Sequence, residues 1–162
     1  MKNLVNFLKQ SDIFYQLTPT QLELVANLCK VVSYQEGDII FRENSTSKEL
    51  YVIMQGEVNI TTVAEGSESN SPKKEIIIAK LRRGQSFGEI ALVDEGLRSA
   101  SAWAAQKDTD LIIIQRDPLI MLCESYPQLG YRLMQNLAID LSMKMRNADL
   151  RVRERLLYTS PK

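Results

Sequence analysis

Phe87-Gly88-Glu89-Ile90-Ala91-Leu92, then five residues, then Arg98-Ser99-Ala100 make up a segment that does not read as ordinary β-rich sequence. A strand end runs into a Gly that lets backbone approach another group closely, and a helical turn follows at once. Such a turn presents free backbone N–H groups, and Arg98 lies near enough in sequence to add a fixed positive charge. Helix-start amides and a guanidinium together suit a phosphate. Glu89 would repel that phosphate, so it needs a second reason to be there. A sugar hydroxyl donating to its carboxylate supplies one, and a nucleotide's phosphate and ribose then account for both charges. The competing reading is a surface ion pair between Glu89 and Arg98 around a β-turn, the commoner fate of a lone Glu and Arg.

Upstream of this segment the pattern is one of short strands. Val31–Tyr34, Ile39–Phe41, Leu50–Met54 and Val58–Val63 are β-rich runs bounded by Gly37, Asn44 and Gly56, and a polar loop containing Gly66 ends near Lys74. Ile76–Leu81, the neighbourhood of Phe87, Ser99–Ala104 and Leu111–Gln115 continue the series. Strands this short and this closely spaced predict an antiparallel sandwich or roll rather than a parallel sheet with crossover helices.

Both ends of the chain are helical in pattern. Leu17-Thr18-Pro19-Thr20-Gln21-Leu22 carries an N-cap Thr, a Pro at the first helical position and a Gln three residues after the cap, between two staple leucines. With Leu22, Val25, Ala26 and Cys29 at helical spacing, it predicts a helix over 19–30, preceded by a short one over Asn3–Lys9. Asp117-Pro118 predicts another cap and first turn. Pro127 ends that helix and opens a long one reaching Leu150 or Leu157. The expected class is α+β in one domain over 1–162: helices over about 1–30, a β-roll over 31–116, and C-terminal helices over 117–157.

Composition narrows the function. Lys plus Arg number 20 and Asp plus Glu number 20, so the charges cancel and bulk electrostatics argue against a nucleic-acid partner. The chain has no His, which excludes Ser-His-Asp and Cys-His catalysis and His-ligated metals or haem. Two cysteines, Cys29 and Cys123, cannot hold an iron–sulfur cluster and read as small apolar residues of a reducing compartment. Apolar runs such as Ile76-Ile77-Ile78-Ala79 are too short to cross a bilayer, and Met1-Lys2-Asn3-Leu4 opens no signal peptide. The expectation is a cytoplasmic, non-enzymatic protein without metal, haem, cluster or membrane insertion.

The stretch 87–100, F-G-E-I-A-L-V-D-E-G-L-R-S-A, resembles the phosphate-binding cassette of the cyclic nucleotide-binding domain family, whose pattern is roughly F-G-E-x-A-L-x(5)-R-[AST]-A. Phe7-Leu8-Lys9 with Ile13-Phe14 is similar to the family's N-terminal helical motif. Tyr34-Gln35-Glu36-Gly37-Asp38-Ile39-Ile40 is similar to its first β-turn, and Leu50-Tyr51-Val52-Ile53 with Gly56-Glu57-Val58 to its central hairpin. The resemblance implies a double-stranded β-helix, or jelly roll. It implies that Arg98 pairs with the cyclic phosphate and that Glu89 accepts from the ribose 2′-OH. Phe87, Gly88, Ile90, Ala91, Leu92 and Ala100 would complete the cassette, with backbone contacts from Gly88 and Ala91 and a hydroxyl from Ser99. Ile60, Ile78 and Leu81 are candidates for the apolar wall, or equally for plain roll core. Two departures stand out: Asn44 replaces a common Gly, and Leu97 replaces a common Pro.

Counted along the long helix, the family's base-reading positions become Lys144 and Met145, with Leu141 beside them, and neither reproduces a hydroxyl pair. The implied ligand is cAMP rather than cGMP, bound by a regulatory sensor whose long C-terminal helix moves and signals to a protein effector. Met134, Ala138, Leu141, Met145, Ala148 and Val152 form a heptad stripe that suits homodimerisation, or else packing on the chain's own roll. Arg151, Arg153 and Arg155 alternate with Asp149 and Glu154 and read as a solvated face, and Tyr158–Lys162 leave no recognition helix, so no DNA-binding domain is expected. The alternatives are a domain of the same fold that binds nothing and serves in dimerisation or docking, and one that takes another nucleotide such as a cyclic dinucleotide.

Overall fold

The computed structural model describes residues 2–64, 74–94 and 96–159, so the loop around Gly66 and Glu95 of the cassette lie outside the described residues. The elements run α1 (Lys2–Leu8), a 3-10 turn (Asp12–Phe14), α2 (Pro19–Ala26), then β1 (Cys29–Tyr34), β2 (Ile39–Phe41), β3 (Glu49–Gln55), β4 (Glu57–Ala64), β5 (Lys74–Arg82) and β6 (Ser86–Phe87). A one-turn α3 (Ile90–Val93), β7 (Ser101–Ala104), β8 (Thr109–Gln115), α4 (Arg116–Ser125) and α5 (Pro127–Thr159) complete the chain. Two four-stranded antiparallel sheets, ordered β1-β8-β3-β6 and β2-β7-β4-β5, make the expected β-roll.

The uninterrupted apolar runs of β3 and β8 have a direct cause. Leu50 and Val52, with Ile112 and Ile114, pack against the helices, while Tyr51, Ile53 and Leu111 point into the roll. A strand covered on both faces cannot alternate apolar with polar residues. Leu50 pairs with Ile114 and Val52 with Ile112 across the ladder, which fixes the register facing the helices.

Two helix boundaries differ from the expected ones. The Thr18 capping box is present, with Gln21 N–H donating to Thr18 Oγ1 and Thr18 N–H to Gln21 Oε1. Yet α2 ends at Ala26, because Cys29 and Lys30 pair with Ile114 and Ile113 of β8. Ladder pairing overrides the helical spacing of Cys29. Burial pushes the Cys29 thiol up to about 12, in line with its reading as an apolar residue. Helix α4 begins at Arg116 with Gln115 as N-cap, so Asp117 and Pro118 sit inside the first turn. That turn's amides have no intrahelical acceptor, so a Pro costs nothing there and an Asp complements the dipole.

Helix α5 has 33 residues, a length of about 50 Å. Leu129, Leu133 and Leu137 bury its first half in the core. Asn136 donates to Ile13 O and Tyr15 O at 3.1 and 2.8 Å and so ties the N-terminal segment to the same helix. Gly130 lets α4 close on α5, since a Cβ there would lie 2.9 Å from Cys123 O. Among the described residues no helix is long and apolar enough to cross a membrane.

Candidate functional site

Arg98 is 5% exposed and is held from three sides. Its Nε donates to Ser47 Oγ at 2.7 Å, one terminal nitrogen to Gly88 O at 3.1 Å and the other to Glu49 O at 2.7 Å. The Glu49 carboxylate lies 3.7 Å from the guanidinium, and the Phe41 ring centroid 4.3 Å from its carbon. Tyr51 and Phe87, stacked at 5.0 Å, extend the aromatic floor. A guanidinium carries five N–H donors, and three of them make these bonds. Burial draws Arg98 down from its ordinary value, while Tyr51, Glu49 and Glu89 act the other way; a guanidinium so surrounded keeps its charge.

The backbone around this side chain is built for close approach. Gly88 takes φ +75°, and a Cβ there would lie 2.6 Å from the Arg98 guanidinium and 2.9 Å from Glu49 O. Asn44 takes the left-handed φ of 63°, so the turn survives the exchange of Gly for Asn. Its N–H donates to Arg98 O, and Arg98 N–H to Ser45 O, at 2.8 and 2.9 Å. In the turn α3, Ala91 N–H donates to Gly88 O and Leu92 N–H to Glu89 O. Ala91's amide is therefore occupied by the turn itself. The amides of Glu89 and Ile90 open the turn and have no backbone acceptor among the described residues.

Glu89 and Arg98 do not form a surface pair. Both are buried, and Glu89 is instead bonded to Lys144 of α5. The Lys144 ammonium donates to Glu89 Oε1 and to Ser86 O, each at 2.8 Å, and lies 2.7 Å from Asp140 Oδ2 one turn back on its own helix. Seven residues on, Arg151 donates to Ile78 O of β5. Helix α5 is thus fastened across the roll at two levels.

Between the cassette, β5 and α5 lies a cavity of about 910 Å³, within the roughly 300–1,000 Å³ range of small-molecule sites. Phe87, Gly88, Glu89, Ile90, Ala91, Arg98, Ser99 and Ala100 line it, as do Ile60, Ile78, Leu81 and Lys144. Three expected residues are elsewhere. Leu92 is buried in the core against the helices, Leu141 packs beside that core, and Met145 is 64% exposed on another face of α5. Ala148 and Val152 of the heptad stripe line the cavity, and Met134 packs on the core, so most of that stripe is spent on the chain itself.

The sequence reading missed Phe41, Lys80, Asp140, Asn147 and Arg151, which also line the cavity. Asp140, Lys144, Asn147 and Arg151 recur at spacings of 4, 3 and 4, a polar stripe that a search for apolar periodicity passes over. Among the described residues, no group of three or more His, Cys, Asp and Glu side chains is placed to hold a metal ion.

Comparison with known proteins agrees with this geometry. Residues 31–126 match the family described as Cyclic nucleotide-binding domain. The chain is 32% identical over 143 residues to the cyclic AMP receptor protein of Thermus thermophilus, covering 88% of this chain and 61% of that one. It is 29% identical over 112 residues to human cGMP-dependent protein kinase 2, covering 69% of this chain and 14% of the kinase. The chain therefore spans less than two thirds of either relative. The crystal structure of a cyclic nucleotide-binding domain from Methylobacillus flagellatus superposes with a TM-score of 0.79 at 22% identity, over 99% of this chain and 85% of that one. With residues 31–126 matched and the roll, cassette and long helix in place, the chain belongs to the cyclic nucleotide-binding domain family.

Proposed function

We propose that the chain is a regulatory sensor, not an enzyme, that binds cAMP in preference to cGMP and passes occupancy of its site to α5. The carrying observation is Arg98, a buried guanidinium held in place by three hydrogen bonds that also lines the cavity. A cyclic phosphate pairs with the Arg98 charge, Glu89 accepts from the ribose 2′-OH, Ser99 offers its hydroxyl, and Ile60, Ile78 and Leu81 cover sugar and base. The choice of cAMP is supported by a relative named for cyclic AMP, while Ser99 suits either base. Competition for the site tests it: cAMP should displace a fluorescent cyclic nucleotide at lower concentration than cGMP, and the reverse order overturns the preference.

A protein effector that reads α5, in a cytoplasmic setting, completes the proposal. Homodimerisation falls to the outer end of α5, where Leu150 and Leu157 are 56% and 78% exposed and lie two turns apart on one face. Sedimentation velocity should show a dimer that Leu150→Glu returns to monomer. A monomeric wild type, with and without nucleotide, removes the seam.

A further inference from the structure

We propose that Lys144 is a positioning residue for ribose recognition, so that helix and ligand share one carboxylate. The inference rests on the cyclic nucleotide reading and deepens it. Glu89 Oε1 accepts from Lys144, while Oε2 forms no hydrogen bond within the described residues. A carboxylate has about four lone-pair sites on two oxygens, so a sugar hydroxyl donating to Oε2 adds to the Lys144 contact rather than displacing it. The Glu89 side chain is 8% exposed and the Lys144 side chain 31%, so the pair is screened by water only on the lysine side.

Lys144 does two things for that carboxylate. It offsets the negative charge that would otherwise repel a phosphate held on Arg98 in the same cavity. It also fixes the carboxylate's orientation, because its ammonium is anchored at once to Ser86 O of β6 and beside Asp140 on α5. A ligand that tightens on Glu89 therefore favours docked α5, and docked α5 favours the ligand by the same factor.

Two measurements on the full chain test this, using Lys144→Met, which removes the charge and keeps length and helix propensity, with Lys144→Arg as the conservative variant. In the first, cAMP and 2′-deoxy-cAMP are titrated into each protein. The wild type should prefer the ribo ligand by about 10- to 150-fold, the span of a hydrogen bond to a charged group. Lys144→Met should reduce the preference to a few-fold by weakening cAMP most, and Lys144→Arg should restore part of it. Equal loss of both ligands would mean that Lys144 only fastens the helix, and an unchanged preference overturns the inference. In the second, hydrogen exchange is followed without nucleotide. Lys144→Met should exchange faster than wild type along α5 beyond Asp140, and equal exchange shows that no latch exists. A wild type that binds neither ligand removes the functional reading and the ribose role with it, while the exchange result still judges the latch.

Discussion

Arg98→Ala should lower cAMP affinity by about 2–5 kcal/mol, the cost of truncating one partner of a desolvated charge pair, which is a factor of roughly 30 to several thousand. The structure adds a consequence for stability. Arg98 also holds Ser47 Oγ, Gly88 O and Glu49 O, so its loss leaves partly buried acceptors without that donor and removes the Glu49 ion pair. Each such acceptor costs about 1–3 kcal/mol when water cannot replace the donor. The variant should therefore melt earlier as well as bind poorly. Arg98→Lys separates the two effects. A point charge cannot reach three acceptors on three sides, so it too should bind weakly, though it leaves Glu49 paired. Calorimetric titration beside thermal unfolding checks both, and wild-type affinity in Arg98→Ala would remove the phosphate assignment.

Glu89→Gln should abolish most of the discrimination between cAMP and its 2′-deoxy analogue. In the wild type that discrimination is expected at about 1.5–3 kcal/mol, because the acceptor is charged. An amide oxygen still accepts a hydroxyl but more weakly, and the lost charge also frees Lys144, which keeps Ser86 O and Asp140 but loses its cassette partner. Affinity for the deoxy ligand should change less than affinity for cAMP. If the wild type binds the two analogues equally, Glu89 is only the structural partner of Lys144.

How much of this was legible in sequence varies along the chain. The cassette was legible because a Gly, a Glu and an Arg stand at fixed spacing within Phe87 to Ala100, whereas Ser47 and Glu49, which hold Arg98, lie far outside that stretch. The roll was legible because short β-rich runs are punctuated by turn residues such as Gly37 and Gly56, both at positive φ. The end of α2 was not, since Cys29 obeys a helical spacing while its backbone is claimed by β8. The placement of α5 was half legible. Lys144 was placed in the site, but as a group for the base edge, because nothing in the local sequence shows that a residue 55 positions away is its partner. Leu141 and Met145 were misplaced for a related reason. Apolar periodicity shows that a helix has a buried stripe, but the rotation of α5 over the roll is set by the polar anchors Lys144 and Arg151 and by packing at Leu133 and Leu137.

The central claim is that one cavity holds a cyclic nucleotide with its phosphate on Arg98 and its ribose on Glu89. A crystal structure of the chain grown with cAMP tests it most directly. The account predicts phosphate oxygens within about 2.7–3.2 Å of the Arg98 nitrogens and the 2′-OH at the same reach of Glu89, beneath a docked α5. A nucleotide bound outside the cavity, or one whose phosphate turns from Arg98 toward Lys80 or Arg151, would contradict it.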